Sequence, residues 1–231
     1  MKILAIESAA TTASAAILED DHLVAEYTID YKKTHSQTLL PMIAEIRDMV
    51  QLDLETLDAI AVSGGPGSFT GLRIGSTTAK GLGLALKKPL IHVPTLDAMA
   101  FQIFGTSGLI CAMLDARKGN VFAGIYRNTE RFEVIKENCH ININGLAEEL
   151  NRLGEPVILT GDGADAYMEQ MQEICQVPLH RAPAFANRAR AGSVAALGAV
   201  YYQEGRIQTA VEHVPDYLRV SQAERQLEQM K

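Results

Sequence analysis

Three cysteines in 231 residues, Cys111, Cys139 and Cys175, are odd in number and too far apart to frame a disulfide scaffold or a zinc site. Basic residues are also scarce: 21 Lys and Arg stand against 28 Asp and Glu, for a net charge of −7. Such a chain does not grip nucleic acid alone, because affinity for the phosphate backbone comes mostly from clustered cations; a partner has to supply them. None of the six histidines forms an i, i+4 pair, the spacing that aims two imidazoles at one ion. No apolar run approaches the ~20 residues that cross a bilayer. The opening "MKILAIES" lacks the apolar core and small-residue cleavage site of a signal peptide, so no membrane association and a cytoplasmic location are expected.

What is present is an ordinary globular composition, 47% hydrophobic and 21% charged, in a chain long enough for one large domain or two modest ones. Glycine is concentrated in "SGGPGSFTGLRIGSTTAKGLGLAL", from Ser63 to Leu86, which invites a phosphate-binding reading. The spacing does not support it. A Walker-type loop needs two glycines five positions apart followed by Lys and Ser or Thr, and no pair here meets that spacing. The dinucleotide fingerprint fails as well, since Gly65 and Gly67 are followed by Thr70 where the third glycine belongs. What remains is a buried strand, a turn, and a helix whose small residues Gly71, Gly75, Ala79 and Gly83 share one face. Each glycine inside a helix costs about 1 kcal/mol relative to alanine, so close packing has to compensate. The partner in that packing is either a second chain or the chain's own core.

Along the chain, "KILAIES", "ASAAILE" and "LVAEYTIDY" read as an antiparallel meander. A helix over "SQTLLPMIAEIRDMVQ" follows, capped by Thr34 or Ser36, with Leu39, Met42, Ile43 and Ile46 in a broad apolar face; Pro41 fits only if it lies in the first turn. After the strand "LDAIAVS", the glycine loop and its helix come "PLIHV" and the helix "TLDAMAFQIF". The break at "GTSG" starts a second cycle: strands "LICAMLDAR", "NVFAGIYR" and "RFEVIKENCHINI", the helix "GLAEELNRLG", then strand, glycine turn and helix in "EPVILTGDGADAYMEQM". The alanine-rich helix "RARAGSVAALGAVYYQEG", the turn "VPDYLR" and a charged tail "VSQAERQLEQMK" close the chain. The order meander, helix, strand, helix occurs twice, which predicts an α/β protein of two lobes.

"MKILAIESA", "THSQTLLP", "VSGGPGSFTGLRIG" and the closing "PDYLR…AER" together resemble the TsaB family, also called YeaZ, of the actin-like, sugar-kinase and Hsp70 (ribonuclease H-like) fold group. The resemblance implies duplicated mixed-sheet lobes, residues 1–104 and 105–231, with the second lobe degenerate. It implies a non-catalytic subunit that pairs with TsaD, the enzyme that installs a threonylcarbamoyl group on the tRNA adenosine next to the anticodon. The ATPase TsaE joins them, TsaC makes the threonylcarbamoyl-adenylate, and tRNA is met only through the complex. TsaD-like proteins hold a metal through two helical histidines; Thr95 and Met99 fall at those positions, so no metal and no catalytic residue is expected here. His92 nearby reads as a hydrogen-bonded structural residue. The phosphate loops of the fold group leave only remnants at Glu7, Ser8, Thr11, Asp115, Gly161 and Gly163, with Ala9, Ala10 and Ala116 interrupting them. Glu7 and Asp115 then read as solvated carboxylates at strand ends.

No cofactor is expected on this chain alone; ATP, ADP and metal would enter through TsaD and TsaE. By the same resemblance the two first-lobe helices form the partner interface, with Leu39, Met42, Ile43, Ile46, Gly71, Arg73, Gly75, Ala79 and Gly83, and a homodimer forms when TsaD is missing. On that reading Gly75→Leu abolishes pairing and leaves the lobe folded. Two other function classes compete. An independent ATPase or kinase of the same fold needs glycines where Ala9, Ala10 and Ala116 stand. A peptidase needs a zinc pair or a nucleophile beside a base.

Overall fold

The computed structural model describes residues 1–31 and 34–218; Arg219 and the charged tail 220–231 lie outside the described residues. Two five-stranded mixed sheets carry the same plan. In the first, β1 (Lys2–Glu7), β2 (Ala13–Glu19) and β3 (His22–Ile29) form the expected antiparallel meander, and β4 (Ala59–Gly65) and β5 (Leu90–Pro94) add in parallel on the other side of β1. The order is β3-β2-β1-β4-β5. In the second, β6 (Leu109–Arg117), β7 (Asn120–Asn128) and β8 (Phe132–Asn142) repeat the meander, and β9 (Val157–Thr160) and β10 (Leu179–Arg181) repeat the parallel pair. The inner strands β1 and β4 are buried on both faces, which is why they read as continuous apolar and small runs.

On one face of the first sheet lie α1 (His35–Met49) and α2 (Phe69–Leu86); α4 (Ile143–Leu153) and α5 (Asp162–Ile174) cover the second sheet. Pro41 sits beyond the first turn of α1, deeper than expected. It is exposed, as is Gln37, so the Gln37 carbonyl, which loses the N–H donor that proline lacks, lies on the solvent side.

The two remaining helices exchange sheets. The short α3 (Thr95–Phe101) follows β5, yet its Leu96, Met99 and Ala100 pack with Ile110, Ala112 and Leu114 of the second sheet. The long α6 (Ala191–Gln203) follows β10, yet Val194, Ala195 and Leu197 pack on Ile3, Ala5 and Ala61 of the first. A boundary at 104/105 therefore separates the chain but not the packing: α6 belongs with the first sheet. Asp97 of α3 joins the two halves, accepting from the Tyr126 hydroxyl at 2.9 Å and the Asn138 amide at 3.0 Å on the second sheet and from Tyr201 of α6 at 3.4 Å.

Candidate functional site

Between the lobes lies a cleft of about 590 Å³, lined by Ala9, Thr11 and Phe69 from one side, Asp115, Phe122 and Asp162 from the other, and Tyr217 near the end of the described chain. The remnants of both phosphate loops surround it, but most of their groups are already engaged within the protein. Glu7 is fully buried, not solvated as its position at a strand end suggests. Its carboxylate accepts from the Ala9 amide at 2.6 Å and from the Ser63 hydroxyl. Burial raises its pKa to about 7, against the hydrogen bonds from Ser63 and the backbone, which lower it. Ser8 is buried and donates to the Gly71 carbonyl at 2.9 Å. The Ala9 carbonyl accepts from the Ser68 amide at 2.7 Å, at the entry to α2. Thr11 is exposed in the cleft.

In the second lobe Asp115 is exposed, as expected, and accepts from the Tyr167 hydroxyl at 2.9 Å and the Arg117 amide at 2.7 Å. Gly161 donates its amide to Asn187 at 2.9 Å, and a Cβ there would overlap the Met113 carbonyl. Gly163 also lies against that carbonyl, less closely, so both glycines serve contact with β6. The start of α5 carries Asp162 and Asp165 where a phosphate would need bare amides. With Asp115, Asp162 and Asp216 on the cleft wall against Arg117 alone among the described residues, these residues do not fit a nucleoside triphosphate. The residues at the metal positions implied by the resemblance to TsaD-like proteins do not fit a metal either. Thr95 and Met99 are fully buried, and the Met99 side chain fills the space beneath Gly161. Neither is presented to the cleft.

The glycine seam of α2 has a different partner from the one expected. Leu39, Met42, Ile43, Ile46 and Ala79 are buried in the first lobe's own core, packed with Leu4, Ile6, Ile60 and Val62. Gly71 and Gly75 lie against Ser8, so that a Cβ on Gly71 would overlap the Ser8 carbonyl and one on Gly75 the Ser8 hydroxyl; Gly83 lies against Leu90. The seam lets α2 approach the end of β1, and a leucine at position 75 would have to displace it. Of the nine interface candidates only Arg73 is exposed.

The outward side of the same helices holds a shallow groove of about 310 Å³, formed by His35, Ser36, Leu40, Arg73, Ile74 and Thr77 with Leu39 at its floor. Leu40, which lines it, is 55% exposed, an apolar side chain left to solvent at the groove. Sequence reading missed this face because amphipathic periodicity marks the side that meets the core, while these positions fall between the apolar rows. The exposed leucine beside a buried one, Leu40 after Leu39, was the available signal.

A family model described as "TsaD: tRNA N6-adenosine threonylcarbamoyltransferase" matches residues 22–227. The Bacillus subtilis (strain 168) protein named "tRNA threonylcarbamoyladenosine biosynthesis protein TsaB" is 30% identical over 225 residues, 97% of this chain and 96% of that one. The chain belongs to the TsaB family. Its fold is that of YeaZ from Pseudomonas aeruginosa, with a TM-score of 0.79 at 24% identity over 94% of this chain and 99% of the other. An inorganic polyphosphate/ATP-glucomannokinase from Arthrobacter sp. strain KM shares the fold alone, with a TM-score of 0.53 at 10% identity over 86% of this chain and 98% of that one. This TsaB-family chain thus has the two-lobed actin-like architecture, with a cleft between the lobes at whose edge Glu7, Ser8 and Ala9 are engaged by the protein's own groups.

Proposed function

We propose that this chain serves tRNA threonylcarbamoyladenosine biosynthesis as a non-catalytic subunit that pairs with TsaD and works alongside TsaE. Family membership supports the pathway, since the Bacillus subtilis relative carries it in its name. The observation that carries the non-catalytic role is the closed first loop: Glu7, Ser8 and Ala9 spend their polar groups on Ser63, Gly71 and Ser68, leaving no cradle for phosphates. The chain therefore binds no nucleotide alone, and tRNA, which a net charge of −7 repels, is met only through the complex.

The pairing surface is the outward groove of α1 and α2, not the buried seam. Leu40, Ile74 and Thr77 give it an apolar centre, and Ser36 and Arg73 a polar rim, the composition of a helix-packing interface. One such patch fits a two-fold copy of itself, so a homodimer forms when TsaD is absent and gives way to the heterodimer when it is present. The test is light scattering of the purified chain, alone and mixed with TsaD from the same organism, with an ATP titration by calorimetry beside it. A heterodimer and no ATP heat from the chain alone are expected. Tight ATP binding without a TsaD complex would overturn the reading in favour of an independent kinase.

A further inference from the structure

After α6 the chain returns along the first lobe, and residues 208–218 form a strap over the glycine loop. Gln208 exchanges two backbone hydrogen bonds of 2.8 Å with Leu90. Lys80 of α2 donates to the His213 carbonyl at 2.7 Å. The Asp216 amide donates to the Gly64 carbonyl at 2.6 Å, and the Asp216 carboxylate meets His92 at 3.1 Å. The approach is so close that a Cβ on Gly65, at φ +115°, would overlap the Asp216 carbonyl. His213 is fully buried with its Nε2 unpartnered. Burial first, then His92 and Lys80, lower its pKa to about 4, so it anchors the strap as a neutral ring.

Few other contacts hold the strap down. Of its hydrophobic residues only Ala210 is buried, while Val211, Val214, Tyr217 and Leu218 are exposed. A segment that buries so little apolar surface opens locally, well below the cost of global unfolding. Its far end is held by rings: Tyr217 lies against Phe69 with centroids 4.9 Å apart, and the Arg73 guanidinium sits 4.0 Å from the same Phe69 centroid. Arg73 also lines the outward groove. Asp216 and Leu218 line both the inter-lobe cleft and a second cavity of about 420 Å³ that contains Asp97, Glu137, Tyr201 and Arg206. The strap is thus the wall between two cavities, and its last ring shares a neighbour with the groove.

We propose that the Arg73–Phe69–Tyr217 stack couples the outward groove to the strap, so that an occupant drawing Arg73 away from Phe69 loosens residues 208–218 and opens the wall between the cavities. That the groove takes a partner rests on the function proposed above; the coupling inside the chain does not. One ring serves two neighbours, so losing the cation on one frees the rotamer that the other needs.

The test is amide hydrogen exchange on the full chain at neutral pH, read at Asp216 and Gln208. Tyr217→Ala is expected to speed exchange about twofold to tenfold, the worth of an aromatic pair, and Tyr217→Phe to leave it at the wild-type rate. Arg73→Ala removes a side chain that makes no hydrogen bond or ion pair to the strap among the described residues; it is expected to speed exchange about twofold to fivefold. Unchanged protection in β1 reports that each variant is folded. If Tyr217→Ala speeds exchange and Arg73→Ala does not, the coupling is wrong; if neither does, the stack does not hold the strap. No partner is needed, so this result is independent of whether the chain pairs with TsaD.

Discussion

Glu7 and Asp115 occupy matching places near the end of the first strand of each sheet, yet one is fully buried and the other exposed. The difference lies in what meets each strand end. At Glu7, α2 arrives on a glycine face and closes over the loop. At Asp115, α5 begins with Asp162, which accepts the Asp115 amide at 2.9 Å, and the carboxylate is left facing the cleft. Two matching strand ends of a duplicated fold are therefore finished differently, one by close packing and the other by neighbouring carboxylates.

The closure of the first loop is broken most severely by Gly75→Leu. Its side chain has to displace Ser8, which overpacks the lobe and costs about 3 kcal/mol; urea unfolding measures the loss, and a wild-type midpoint would show that α2 does not lie on Ser8. The buried proton of Glu7 is the next target. Because its folded pKa of about 7 lies above the reference value of 4.5, the contribution to stability is complete below about 4.5 and is lost as pH rises through about 7. At one unit per 1.36 kcal/mol the loss totals about 3 kcal/mol as an upper figure. Glu7→Gln is expected to flatten that pH dependence and to be the more stable protein at pH 8, measured by urea midpoints across pH; an unchanged slope would place Glu7 in solvent. The counterpart Asp115→Ala removes an exposed acceptor and is expected to change stability by less than about 1 kcal/mol, measured by the urea midpoint at neutral pH. A larger loss would mean that the two loops are closed alike.

The strands were legible because alternation and small-residue runs report burial directly, and the repeated order of elements gave two lobes. The exchange of α3 and α6 between sheets was not, since an alanine-rich helix such as Ala191–Gln203 is apolar on every side and does not announce which sheet it covers. Seam and apolar face were read correctly as close-packed, but the periodicity left their partner open and the resemblance placed it on a second chain, whereas both pack on the chain's own first lobe, the seam against Ser8 and Leu90. Glu7 was misread because a carboxylate in the sequence carries no sign of the Ser63 hydroxyl that lies 56 positions away. The strap was invisible for the same reason: its contacts with Gly64, Phe69 and Leu90 are all distant in sequence.

The most direct measurement compares two substitutions on opposite sides of α2 by light scattering with TsaD. Thr77→Arg on the exposed groove is expected to leave the chain folded, by wild-type urea midpoint, while abolishing the heterodimer. Normal pairing by folded Thr77→Arg would contradict the outward-face assignment. Gly75→Leu, by contrast, is expected to lose pairing only in proportion to the folded protein it loses, and a fully folded Gly75→Leu chain that fails to pair would return the interface to the seam.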